Sequence, residues 1–244
     1  MQGFSLLEVA VVIGVLGLLA IAMTSAFDNV QQLRSRKAAI ADAESARNAL
    51  RAFALRNKRL PCPDTSPHGD AGREPGSGGC PSSVDVGWLP YESIGLALPV
   101  RAARLRYGVN RSVAGFDPVA PVPAASDGLD LEGTGGFGAA LTALATKPAG
   151  TGAPYYIALS ATDPTITCAG AGLVNPAFVL VAPVADSDGD GSVHAGFDAP
   201  NLGFATGVDK CVASPARPAS MGYDDVVVAE SSNALLGWFL ASTR

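Results

Sequence analysis

Val9 to Phe27 is a run of 19 residues without a charge, and Thr24 and Ser25 are its polar members. About 20 apolar residues are the length at which a helix spans a bilayer. Backbone amides left unpaired in hydrocarbon are costly enough that such a stretch must be helical there. A buried core helix is one alternative, but globular helices are rarely apolar on every side. A cleaved secretory signal is another, and Ala20-Ile21-Ala22 has the small-x-small look of a cleavage site. Met1-Gln2-Gly3 lacks the basic start such a signal needs.

Helical patterning also continues past the run. Val30, Leu33, Ile40, Ala43, Ala46, Leu50, Phe53 and Ala54 recur at helical spacings, with Arg34, Arg36, Lys37, Asp42, Glu44, Arg47 and Arg51 on other faces. This is an amphipathic helix. Phe4 to Asn57 would extend roughly 80 Å at ~1.5 Å per residue. A helix so long, half apolar and half amphipathic, does not have the shape of a cleaved signal.

Composition divides at the end of that helix. All 18 prolines lie at Pro61 or later, and of 28 glycines only Gly3, Gly14 and Gly17 come earlier. Residues 1–60 carry 8 basic and 4 acidic side chains, and the remainder carries 9 and 18. A basic, proline-free helix therefore precedes an acidic, Gly/Pro-rich part built of strands and loops. With 48% apolar and 16% charged residues, wholesale disorder is excluded. A net charge of -5 argues against a generally basic nucleic-acid binder.

Glu8 is a lone carboxylate at the mouth of the apolar run, where a charge costs at least ~2.5 kcal/mol unless paired. A free amino terminus nearby would pair it. Gly3-Phe4-Ser5-Leu6-Leu7-Glu8-Val9 followed by the apolar run resembles the type III signal of type IV pilins and type II secretion pseudopilins. The resemblance implies cleavage between Gly3 and Phe4 by a prepilin peptidase, and N-methylation of Phe4. It implies that Glu8 neutralises the amino terminus of a neighbouring subunit during assembly. The leader departs from the family in lacking Lys or Arg. Arg34, Arg36 and Lys37 would by the positive-inside rule favour a cytoplasmic C-terminus, whereas the family places that end outside, in agreement with the cysteines and the acidic domain.

Leu60-Pro61-Cys62-Pro63 ends the helix, and residues 63–83 read as loop. Strands are expected at 105–110, 155–159, 177–182 and in the 221–229 run, with a short closing helix over 234–240. Residues 112–136 and 161–176 read as loops. Four cysteines permit three pairings. We expect Cys62 with Cys80 and Cys168 with Cys211, because each bridge would pin a loop-rich segment, and export favours disulfides. No CxxC spacing supports a four-Cys zinc site.

Asp186-Ser187-Asp188-Gly189-Asp190-Gly191-Ser192 matches the first half of an EF-hand-type Ca²⁺ loop: alternate carboxylates, then Gly for a sharp turn. The match fails at the final Glu, where Phe197 stands. Asp186, Asp188, Asp190, Ser192 and Asp198 are the expected metal ligands, with Asp209 a further candidate. A solvated Asp/Gly turn is the alternative. Some members of the resembled family bind calcium in a late loop. Asp224-Asp225 is a carboxylate pair, but adjacent strand residues face opposite sides, so joint action is not expected. His68 and His194 are the only histidines, and no hydrolase or nucleotide-binding motif appears, so the chain is not read as an enzyme. Arg101, Arg104, Arg106 and Arg111 with Tyr107 form a basic cluster, read as a solvated face rather than a DNA-binding surface.

The expected fold is α+β and, by resemblance, pilin-like: a long N-terminal helix, half transmembrane and half amphipathic, on an antiparallel sheet domain with long loops. The expected parts are leader 1–3, transmembrane and assembly segment 4–29, amphipathic segment 30–59 and globular domain 60–244. The resemblance implies a structural subunit, minor by its size and loops, of a type IV pilus or related filament. A minor type II secretion pseudopilin and a tip adhesin or DNA-capturing subunit are the alternatives. Implied partners are other pilin or pseudopilin subunits, the prepilin peptidase/methyltransferase, an inner-membrane assembly platform and, before assembly, the membrane. The implied location is the inner membrane as a single-pass protein with a periplasmic C-terminal domain, then a periplasmic pseudopilus or cell-surface pilus.

Overall fold

The computed structural model describes residues 6–76, 79–111, 115–121, 135–158, 168, 172–187, 189, 196–220 and 222–242, without the side chains of 6–8 and 20–29. Helix α1 (Leu6–Asn57) is followed by β1 (Val86–Trp88), β2 (Arg106–Val109), α2 (Gly136–Thr146), β3 (Tyr155–Ile157) and β4 (Leu173–Val174). Then come β5 (Phe178–Ala182), α3 (Asn201–Thr206), β6 (Cys211–Val212), β7 (Val226–Glu230) and α4 (Ser232–Ser242). The architecture is α+β. A four-stranded antiparallel sheet runs in the order β1-β2-β5-β7, and a smaller sheet runs β4-β3-β6 with β3 and β6 parallel.

The second half of α1 lies on the larger sheet. Ala39, Ala43, Ala46, Leu50, Phe53 and Ala54 are buried there, and the alanines let the helix backbone approach closely. β5 shows why a strand can be apolar throughout. Phe178, Leu180 and Ala182 join the cluster that faces α1, while Val179 and Val181 join the opposite cluster with Trp88, Phe197, Phe204 and Tyr223. Successive side chains point to opposite faces, and both faces here are covered. α2 and α4 pack on each other at the end of α1, with Phe137 and Phe239 edge-to-face at 5.3 Å between centroids. α2 begins where a loop was expected to end. It lacks the polar face that marks a surface helix, because most of its length is buried.

The disulfides are Cys62–Cys80 and Cys168–Cys211. Gly108 in β2 marks where the region of the small sheet meets the large one: a Cβ there would lie 2.7 Å from Phe204 Cζ and 3.0 Å from Pro154 Cγ. Gly108→Ala should therefore destabilise by about 1–3 kcal/mol through overpacking, outweighing the ~0.4–1 kcal/mol that a stiffer unfolded chain returns. Denaturant titration checks this; a stabilised variant would show that Phe204 yields freely.

The location expected from Val9–Phe27 requires correction. Among the described residues no helix is long and apolar enough to cross a membrane, which overturns the inner-membrane single-pass, periplasmic placement. The physical reason is length. A helix needs about 20 consecutive apolar residues to cross a hydrocarbon core of about 30 Å, and the described residues do not supply such a stretch. Every described side chain of Val9–Leu19 is exposed, with Val9 at 45% and Leu18 at 71%.

Candidate metal centre

Three aspartates converge behind the sheet face that carries Val179, Val181 and Val227. Asp198 arrives at the end of the 183–200 connection from β5 to α3. Asp224 and Asp225 lie on the chain entering β7. Each offers a carboxylate oxygen within 4.8 Å of the others, and their exposures are 0%, 0% and 1%.

The backbone holds these carboxylates in place. Asp198 Oδ2 accepts from the Asp224 amide at 2.7 Å, and Asp198 Oδ1 from the Ser187 amide at 2.9 Å. In return the Asp198 amide donates to Asp225 Oδ2 at 3.0 Å, an oxygen that also accepts from Asn201 Nδ2 at 2.8 Å. Asp224 Oδ1 accepts from the Ala185 amide at 3.2 Å. Asn201 is itself fixed, because its Oδ1 accepts from the Ala213 amide at 2.8 Å. Two oxygens stay unsatisfied: Asp224 Oδ2 and Asp225 Oδ1 are buried with no hydrogen-bond partner.

Burial is the main reason that the Asp225 carboxyl is pushed up to about 8, and the neighbouring charges of Asp198 and Asp224 push the same way against the stabilising Asn201 bond. Two cations stand close by. Arg36 of α1 donates from Nη1 to the Asp224 carbonyl at 2.5 Å, and Arg217 donates from Nη1 to the Ala199 carbonyl at 3.0 Å while its guanidinium lies 3.4 Å from the Tyr223 ring centroid. Both spend these bonds on backbone oxygens. A buried group of carboxylates with hard oxygen donors only could hold a metal ion.

Of the expected ligands, Asp198 belongs to this group. Asp186 is exposed on the same connection and is not in it, nor is Asp209. Asp188, Asp190 and Ser192 lie outside the described residues. Asp224 and Asp225 were set aside on strand alternation, and the structure reverses that. β7 begins at Val226, so the two aspartates precede the strand and the alternation rule does not govern them. The signal available in the sequence was the Asp-Asp doublet itself, immediately before an apolar β-branched run.

Gly3 and Phe4 lie outside the described residues, as does the Glu8 side chain. The arginine cluster is dispersed. Arg101 and Arg104 both pair with Asp70, Arg111 with Asp117, and Arg106 is buried with its guanidinium 4.6 Å from the Trp88 ring. Desolvation lowers the Arg106 guanidinium to about 10. Tyr107 is buried and donates to the Pro61 carbonyl at 3.1 Å. His68 lines an open cleft of about 510 Å³ with Trp88, Ala185, Asp186, Gly196 and Phe197; His194 lies outside the described residues.

No family model, curated protein or solved structure matches this chain.

Proposed function

We propose that this protein is a structural subunit of a filament of the type IV pilin or type II pseudopilin kind, processed between Gly3 and Phe4 and assembled through α1. One observation supports this reading above the rest: α1 is covered by its own domain along its second half, while Val9–Leu19 stands bare with every described side chain exposed. Contiguous exposed apolar surface of this extent marks an interaction site. The same segment of neighbouring copies would cover it, and the Glu8 charge would gain an amino-terminal partner. The role is packing rather than turnover, and a minor subunit is the form we favour. Calcium is the cofactor we propose, because the candidate centre offers hard oxygens and no sulfur or imidazole among the described residues.

The pseudopilin alternative gains from that acidic centre, since members of that family carry late-loop calcium. A DNA-capturing subunit loses support, because the arginines that suggested it are paired or buried.

Glu8→Ala tests the proposal. The variant chain should be made and folded as the parent is, but should enter filaments at a small fraction of the parent level in pelleting and immunoblot assays. Incorporation at parent level would refute the pairing. Intact mass spectrometry should find a mature chain beginning at methylated Phe4.

A further inference from the structure

Among the described residues, Arg104 and Arg111 carry nearly buried guanidinium groups, and each has a carboxylate: Asp70 for the first and Asp117 for the second. Arg106 is 6% exposed and has none. Its Nε is buried without a hydrogen-bond partner, and its Nη2 reaches the Phe204 carbonyl only at 3.4 Å. What answers its charge is the Trp88 ring, with the guanidinium carbon 4.6 Å from the centroid. Arginine keeps its proton in folded proteins, and a buried charge without a counter-charge is costly. The fold therefore holds a positive charge that it does not itself neutralise.

The Trp88 ring also lines the open cleft of about 510 Å³, a volume in the range of small-molecule sites. Phe197, Pro183 and Val184 give that cleft apolar walls, and His68 and Arg101 give it polar groups. Gly69 is pressed on Trp88: its φ is +70°, and a Cβ there would lie 2.7 Å from Trp88 Cγ. His68, just before it, takes φ 53° and ψ 13°, a left-handed conformation that residues other than glycine seldom hold. Strain of this kind collects at ligand sites. The His68 carbonyl accepts from Arg104 Nη1 at 2.7 Å, while among the described residues the imidazole makes no hydrogen bond. Arg101 and Arg104 share the one carboxylate of Asp70.

We propose that this cleft binds a small organic carboxylate with an apolar body. The body lies against Trp88 and Phe197, the carboxylate meets His68 and Arg101, and the unpaired charge of Arg106 acts through the Trp88 ring. This goes beyond the filament reading and does not depend on it. Asp186 lines the cleft as well, and Asp198 follows Phe197. Both oppose a second negative charge, so a monoanion fits better than a phosphate. An anion in contact with the ring, at about 3.5–4 Å, lies roughly 8 Å from the guanidinium. At an effective dielectric of about 20 that attraction strengthens binding about tenfold or more.

The test uses the full chain carrying Trp238→Phe, which leaves Trp88 as the remaining tryptophan. It is titrated with benzoate, glucuronate and the neutral benzamide while Trp88 fluorescence is followed. Benzoate should give a saturable change and bind at least about tenfold more tightly than benzamide. Glucuronate binding more tightly than benzoate would name an acidic sugar as the source of the carboxylate and would still support the site. Arg106→Met should weaken benzoate binding at least about tenfold and melt no lower than the parent, because an unpaired buried charge has gone. Arg106→Lys, which keeps the charge, should bind within about threefold of the parent. No saturable response to either carboxylate overturns the proposal, and so does equal affinity for benzoate and benzamide. An Arg106→Met chain that binds as the parent does would make Arg106 a support for α3 alone and also overturns it. So does an Arg106→Lys chain that loses as much binding as Arg106→Met, since fold rather than charge would then be at work. Should Arg106→Met fail to fold, Arg101→Gln, at an exposed side chain, decides: weakened benzoate binding with benzamide unchanged supports the site, and unchanged benzoate binding sinks it.

Discussion

Glu230→Ala should lower the free energy of unfolding by about 3–5 kcal/mol, the cost of stranding a buried ion pair's partner. Glu230 ends β7 and is 2% exposed. Its two carboxylate oxygens accept from Arg51 Nη2 at 2.7 and 2.9 Å, and Arg47 Nε stands 4.0 Å away. Both arginines belong to α1, so this carboxylate fastens the helix to the sheet. Removing it strands the Arg51 guanidinium at a dry strand end, while Arg47 keeps its pair with Glu44 at 2.6 Å; Arg47 Nε and Arg51 Nε already lack hydrogen-bond partners. Arg51 retains some access to water, with 21% of its side chain exposed, which places the expected loss toward the lower end. The double variant Glu230→Met/Arg51→Met should lose much less, because neither charge remains to be stranded. Urea titration of the single and double variants decides it. A loss below about 1 kcal/mol for Glu230→Ala would show that the pair behaves as a surface bridge.

Replacing both Cys168 and Cys211 by alanine should cost about 4 kcal/mol in the chain-entropy model, and replacing Cys62 and Cys80 about 3 kcal/mol. The difference follows from sequence separations of 43 and 18. Location sharpens it. The later bridge ties the Cys168 segment to β6 in a sheet whose strands are two or three residues long. Such strands contribute few ladder hydrogen bonds, so the covalent link carries much of the order there. The earlier bridge closes a loop that Arg59 and Glu74 also hold, through paired bonds at 2.5 and 2.8 Å. Hydrogen exchange should show protection lost first at Tyr155–Ile157 in the later-pair variant. Equal losses for the two pairs would mean that native-state contacts, rather than loop closure, set the values.

Part of this was legible in the residues. The helix was expected over Phe4–Asn57 and is described from Leu6 to Asn57. The buried stripe of its second half includes Ala43, Ala46, Leu50, Phe53 and Ala54, as the spacing indicated. The apolar run at 177–182 became β5, buried on both faces. α2 was not legible, because a helix buried on most sides has no polar face to set a period. The basic cluster was misleading for a related reason. Arg101, Arg104, Arg106 and Arg111 are close in sequence, but Asp70, Trp88 and Asp117 come from elsewhere and take their charges in separate places.

The chain alone determined its repeating local features: where a helix must run, which stretches extend, where proline stops a helix, and which glutamate begins the apolar segment. These depend on neighbours within a few residues, so a periodicity can record them. The acidic centre was decided only by the tertiary structure. Asp198 and Asp225 are 27 residues apart and meet because α3 and the chain entering β7 pack behind one sheet face. Because β7 begins at Val226, just after Asp225, the two adjacent carboxylates can turn to the same side. No local pattern records where a strand will start, because packing against the rest of the fold settles it.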